Sequence, residues 1–469
     1  MKSTISLNRA VLLALSCSLL AACGENQTEK APPVTINTDP FPSTYQPMAS
    51  EPTLITNVTI IDGIGGMIES GSVLMLDGKI SAVGDTTKVP EGTVVIDGTG
   101  KWLTPGIIDV HSHLGVYATP EANAHSDGNE ATNPVTAQVW AEHSIWPQDP
   151  GFSRALAGGV TSLQILPGSA NLVGGRAVTV KNVPNRVVQE MKFPGAPYGM
   201  KMACGENPKR VYGNKGGPGT RMGNVAGYRQ AWADAQEYQE KWDRYYAEYA
   251  ADKDPKVPKR DLKLETLAGV LKGEIIVHMH CYRADDMGTM LDVMKEFNYQ
   301  IGSFHHAVES YKIADRLAQN NVCSSMWADW WGFKMEAYDG IKENIPMVHA
   351  AGACAIVHSD SDLGIQRLNQ EAAKAWSDGK RAGIDISEAD AWTWLTSNAA
   401  KSLGIFDKTG SIELGKQADL VLWSENPFST YAQANKVYID GALAYDRDDP
   451  ASWPVSDFEL GQPGEGDSK

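Results

Sequence analysis

Trp102-Leu103-Thr104-Pro105-Gly106-Ile107-Ile108-Asp109-Val110-His111-Ser112-His113 reads as a turn followed by a strand with two histidines at its end. Pro105-Gly106 marks the turn. Ile107, Ile108 and Val110 predict a short buried strand. Residues i and i+2 of a strand point to the same face, so His111 and His113 present two imidazoles together. Such a pair at a strand end suits one transition-metal ion. An HxH pair alone is equally well explained by one packed and one surface histidine, so the flanking chain has to decide.

Working outward, residues 54–63 read as a strand running into a turn, and 72–80 as a hairpin about Asp77-Gly78. Residues 94–98 give another strand, and 418–423 and 437–441 supply partner strands from the far end. The two ends are expected to form one β-sandwich with a larger domain inserted between them. Inside that insert, strand-like runs at 160–166, 275–280, 299–306 and 355–360 alternate with helical ones. This is the mark of a parallel α/β fold. Residues 224–250 interrupt the rhythm with Trp232, Tyr238, Trp242, Tyr245, Tyr246 and Tyr249 among polar residues. They predict a long amphipathic helix after the fourth strand that covers the barrel face.

The other chemistry-bearing residues follow in order. His278 and His280 repeat the i, i+2 geometry. His305 and His306 are adjacent, so on a strand only one of them can face a metal. Asp360 follows an apolar run, and Asp362 repeats its face. The stretch 200–209 carries both Lys201 and Glu206. With the Pro-Gly-hydrophobic-Asp-x-His-x-His segment and a closing Gly-Lys-Gln-Ala-Asp-Leu-Val at 415–421, this order resembles the amidohydrolase superfamily over roughly residues 52–448. Within it, the chain looks most like the branch of imidazolonepropionase and the Xaa-Pro and Xaa-Arg dipeptidases.

The resemblance implies a (β/α)8 TIM barrel whose site lies at the C-terminal face. It implies one or two divalent ions, zinc above all, held by His111, His113, His278, His306 and Asp360. His280 lines the pocket or orients its neighbour. Matching His-Ala-Val-Glu at 306–309 to the family's His-Gly-Thr-Glu selects His306 and leaves His305 facing the helices or standing one layer behind the metal ligands. Asp360 is the metal ligand that also shuttles the proton. The bridging group stays open between a carboxylated Lys201 and a directly ligating Glu206. Tyr282 and Arg283 follow the His pair and read equally as holding a substrate carboxylate or carbonyl and as part of a structural salt bridge. The Gly-rich 167–176, read as following the third strand, lacks the Lys-Ser/Thr of a phosphate loop and is expected to shape the pocket rim. Trp327, Trp330 and Trp331 read first as core packing and second as a pocket wall.

The net charge of −16 offers no basic face for nucleic acid. Lys2, Arg9 and the apolar run 10–20 read as a leader too short to span a bilayer permanently. It ends in Leu20-Ala21-Ala22-Cys23-Gly24, which looks like a bacterial lipobox with Cys23 as the lipid attachment site. The membrane is then met through that anchor alone, in the cell envelope, at the outer membrane facing the periplasm. Cys204, Cys281, Cys323 and Cys354 are far apart in sequence, beside apolar runs, and read as buried thiols rather than a disulfide framework.

The expected organisation is a signal peptide at 1–22, a flexible tether at 23–50 and the first part of the sandwich at 51–106. The barrel at 107–405 carries a helical insertion at 207–263. The second part of the sandwich is at 406–448 and an acidic tail at 449–469. The expected activity is hydrolysis of a carbon–nitrogen bond in a small molecule such as a cyclic amide, dipeptide or N-acyl amino acid. The alternatives are a one-metal deaminase of a heterocycle and a barrel lipoprotein without activity. A homo-oligomer is compatible with the sequence.

Overall fold

The computed structural model describes residues 31–84, 89–119 and 121–453. The expected leader, the Cys23 attachment site and residues 454–469 of the expected tail lie outside them. Five strands come first: β1 (Thr53–Ile61), β2 (Met67–Leu76), β3 (Lys79–Gly84), β4 (Val94–Asp97) and β5 (Trp102–Pro105). Eight barrel strands follow: β6 (Ile107–Ser112), β7 (Val160–Ile165), β8 (Val173–Lys181), β9 (Tyr198–Ala203), β10 (Ile275–His280), β11 (Ile301–His305), β12 (Cys323–Met326) and β13 (Ala355–Val357). Then come β14 (Leu420–Trp423), β15 (Ala434–Ile439) and β16 (Ala442–Asp446).

The two chain ends meet in one hydrogen-bonded sheet, ordered β16-β15-β14-β5-β1-β2-β3. The expected β domain built from both chain ends is present, its strands joined in one continuous sheet. The reason lies in β1, whose first half pairs with β4 and whose second half pairs with β5. Asn57, with φ 54°, sits at the register shift between the halves. Ile55, Val58, Ile60, Val73, Leu103 and Leu420 pack into one core on this sheet. One residue, Gly106, separates β5 from β6, and it is no chain reversal. Its amide donates to the Asp419 carbonyl at 2.8 Å. A Cβ there would meet Thr161 Oγ1 at 2.1 Å, so close approach demands the glycine.

The barrel runs β13-β12-β11-β10-β9-β8-β7-β6. All its neighbours are parallel except β8, which is antiparallel to both β7 and β9. This departs from the expected all-parallel barrel. Residues 166–172 between β7 and β8 are too few for the dozen-residue crossover a parallel pair needs. The Gly-rich 167–176 accordingly follows the second barrel strand, and its second half is strand rather than loop. The seam between β13 and β6 is closed by Asp109. Its carboxylate accepts from the Ser359 amide at 3.1 Å and the Ser359 hydroxyl at 2.5 Å. The Asp360 amide then donates to the His111 carbonyl at 3.1 Å. This seam aligns the Asp360 loop with the histidine strand.

The helix Arg221–Ala250 follows β9 and is capped by the Thr220 hydroxyl, which accepts from the Gly223 amide. Its buried face carries Tyr228, Trp232, Tyr238, Trp242 and Tyr245. Trp232 packs on Tyr299 with ring centroids 4.4 Å apart, and Tyr228 donates to the Ala203 carbonyl. It covers the barrel's outer wall, as expected.

Two expectations fail. Residues 31–50, expected as a flexible tether, are strapped to the barrel. Lys192 Nζ reaches Asp39 at 3.0 Å and the Phe41 carbonyl at 2.7 Å. Arg176, buried against Trp140, donates to the Thr38 carbonyl at 2.9 Å. Tyr45 donates to Asp440 at 2.6 Å, where Lys181 also binds at 2.8 Å. Buried cations need partners, and the strap supplies them. The four cysteines are not thiols either: Cys204 pairs with Cys281 and Cys323 with Cys354. Adjacent barrel strands bring residues 77 and 31 apart in sequence to Cα separations of 5.2 and 4.5 Å.

Candidate active site

The ends of β6, β9, β10 and β11 and the loop after β13 converge on one buried cluster of imidazoles. His111 is fully buried, and its Nε2 lies 3.3 Å from His113 Nε2 and 3.3 Å from Lys201 Nζ. Asp360 Oδ1 lies 3.4 Å from His111 Nε2 and 3.3 Å from His113 Nε2, while Oδ2 is 3.7 Å from His306 Nε2. His113 is oriented by the Leu166 carbonyl, 2.9 Å from its Nδ1. Such a bond on the far nitrogen fixes which nitrogen faces the centre.

The electrostatics favour neutral ligands around one carboxylate. Burial lowers the basicity of His111, His278, His280, His305, His306 and His358, with neighbouring Lys201 adding to the effect. Neutral imidazole is the form that binds metal. Burial pushes the Asp360 carboxyl up, but the hydrogen bond from His113 and nearby positive charge hold it below the ordinary carboxylate value. Burial brings Lys201 down to about 7. Its Nζ donates to the Pro167 carbonyl at 3.1 Å.

Glu206 does not join this centre. It opens the helix Glu206–Tyr212 and turns to Lys334, 3.4 Å away. His280 stands beside the cluster, with its Nε2 3.3 Å from Asn207 and its ring 4.6 Å from that of Tyr282. Tyr282 is buried beside it, whereas Arg283 points away. Arg283 donates to Asp285 at 2.9 Å at an exposed helix start, which removes it from the pocket. Asp362 is likewise exposed.

Two histidines stand where they were not expected. His305 faces inward, with Nδ1 2.8 Å from His111 Nδ1 and Nε2 3.1 Å from His278 Nδ1. His278 is therefore one imidazole removed from His111. The strand alternation that assigned His305 to the outside ends at His306, whose φ of 59° is left-handed. His358 sits inside as well, with Nε2 2.8 Å from His306 Nδ1. Its i, i+2 relation to Asp360 carried that signal in the sequence.

The donor set fits a divalent ion. The atoms of His111, His306 and Asp360 lie within 4.8 Å of one another, as do those of His111, His305 and His358. Three buried imidazole nitrogens, on His278, His280 and His358, have no hydrogen-bond partner among the described residues. Unsatisfied buried nitrogens are costly unless something binds them.

A barrel with histidines, a lysine and an aspartate at its strand ends has the layout of a hydrolase whose donor set could hold a metal ion. The comparisons agree. The amidohydrolase family model matches residues 265–444. An amidohydrolase from Thermotoga maritima MSB8 superposes with a TM-score of 0.76 at 37% identity, over 84% of this chain and 100% of that one. Amidohydrolase tasK of Hapsidospora irregularis is 34% identical over 399 residues, 81% of this chain. The chain spans 40% of that relative's length. An imidazolonepropionase from Mesorhizobium japonicum is 23% identical over 78% of this chain and 89% of its own. The chain belongs to the amidohydrolase family and is a hydrolase acting on carbon–nitrogen bonds.

Proposed function

We propose that the chain is a zinc-dependent hydrolase of a small amide: a cyclic amide, a dipeptide or an N-acyl amino acid. The observation that carries this is the convergence of Asp360 on His111, His113 and His306 beside buried Lys201. His111, His113, His306 and Asp360 would hold the ion, with Lys201, His305 and His278 as further donors beside them. A bound divalent ion supplies Lewis-acid activation of water and of the amide carbonyl. Asp360 takes the proton of the attacking water on its carboxylate and passes it to the leaving nitrogen. Tyr282 and His280 wall the substrate and exclude water.

Burial brings Lys201 down to about 7, so a share of it is the neutral amine that reacts with carbon dioxide, and its Nζ lies 3.3 Å from His111 Nε2; both favour it over Glu206 as the bridging group. Lys201→Ala is expected to lose metal and to regain part of it with small carboxylates, while Glu206→Ala keeps its metal. Metal content by mass spectrometry and turnover on dipeptides, N-acyl amino acids and lactams test this. Loss of metal in Glu206→Ala alone would move the bridge to Glu206 and strengthen the one-metal deaminase reading.

We also propose a lipid-anchored, periplasm-facing location. The two disulfides support an oxidising compartment. Cys23→Ser is expected to shift the protein from the membrane pellet to the soluble periplasmic fraction. A wild type that is already soluble would overturn the anchor.

A further inference from the structure

We infer that the loop after β12 is the subsite for an apolar substituent, so that the preferred substrates are N-acyl amino acids with an aromatic or medium-chain acyl group. The inference deepens the proposed amide hydrolysis and rests on it. It begins with Trp327, the first residue beyond β12. Its ring stacks on His306 with centroids 4.5 Å apart at 25°. The indole N–H donates to the Ser359 carbonyl at 3.1 Å, which fixes the ring in place. Packing then continues outward. Trp330 lies 5.5 Å and Phe333 5.9 Å from Trp327, centroid to centroid.

Exposure rises along this path, from 7% for Trp327 to 39% for Trp330 and 58% for Phe333, with Met335 beyond it at 78%. Leu363, 56% exposed, comes from the loop after β13 and precedes Gly364, which lies beside the Trp330 ring. Single exposed apolar residues need no explanation, but a contiguous set does. This set starts on a histidine of the catalytic cluster and ends in solvent. A group attached to an amide at the centre therefore runs out along it.

One cation borders this wall: Lys334 follows Phe333 in the chain, and the Tyr282 ring beneath it lies 6.2 Å from that of Phe333. Lys334 Nζ lies 4.2 Å over the Tyr282 ring and reaches Asn207 at 3.1 Å. An apolar wall with a cation at its border fits a molecule that carries an apolar acyl group on the amide and a carboxylate nearby.

Hydroxamates of increasing acyl length test the wall directly, because the hydroxamate head chelates the metal and the chain reports the subsite. Calorimetry on the metal-loaded protein should show octanohydroxamate binding about tenfold or more tighter than acetohydroxamate. The double variant Trp330→Ser/Phe333→Ser, altered only at exposed positions, should lose that gain and bind acetohydroxamate as wild type does. Equal affinity for the two compounds, or a gain that survives in the double variant, overturns the subsite. Failure of both compounds to bind overturns the metal-centre reading, and the subsite with it. A wild-type dimer that the double variant dissociates, seen by light scattering, would assign the wall to a second copy and overturn the inference.

Discussion

At the scale of single residues, two backbone angles control which side chains enter the site. His306 and Asp360 have φ of 59° and 49°, in a region where non-glycine residues are uncommon. His306 directly follows β11 and Asp360 lies in the loop after β13, and each turns a donor inward that ordinary alternation would not. Asp360 thereby gains contact with three imidazoles at once. Asp360→Asn keeps the shape and an oxygen ligand but cannot accept a proton. It is expected to retain the fold and most of the metal while losing about 10²–10⁴ in kcat. His111→Ala should instead lose the metal. Metal stoichiometry and kcat of the two variants separate these roles, and near-normal turnover in Asp360→Asn would move the proton transfer elsewhere. The period-two rule exposed His111 and His113 in the sequence because both lie within or just after a regular strand. It misplaced His305 because the rule stops where the strand stops. No periodicity announces a left-handed angle on a histidine.

At the scale of elements, the strand ends are tied covalently. Cys204 and Cys281 follow β9 and β10, directly beyond Ala203 and His280, while Cys323 and Cys354 lie at the opposite ends of β12 and β13. Each bridge closes a long loop of chain, which restricts the unfolded state. Replacing Cys204 and Cys281 by serine is expected to lower stability by about 2–4 kcal/mol, and a reductant should do the same to the wild type. Denaturant unfolding with and without reductant measures this, and identical midpoints would mean the thiols are free. These pairs were illegible in the sequence because their spacing follows strand neighbours rather than chain distance. The β7–β8 hairpin was hidden for a related reason. Apolar runs report strands but not their direction, and only the short 166–172 connection shows that β8 must run back.

At the scale of the whole molecule, the chain ends hold the barrel between them. Lys181 on β8 sits fully buried with Asp419 at 3.1 Å and Asp440 at 2.8 Å, and Tyr45 of the strap caps the same aspartate. Barrel, terminal sheet and strap therefore share one buried ionic knot. Burial and the Asp419 charge raise the Asp440 carboxyl pKa, so the knot is held by close partners and not by easy ionisation. The sequence pattern showed the partner strands at both ends, since they alternate like strands. It showed residues 31–50 as a linker, since polar, Pro-rich segments look alike whether free or bound. What distinguishes them is the buried cations they meet, Lys192 and Arg176, which lie far along the chain. A chain beginning at residue 51 leaves those cations short of partners, and breaking buried pairs costs about 3–5 kcal/mol. Relative to a chain beginning at residue 31, its Tm is expected to fall by roughly 5–10 °C. A linker that only spaces a lipid from a domain would leave Tm unchanged when removed, so thermal unfolding of the two truncations distinguishes a strap from a spacer.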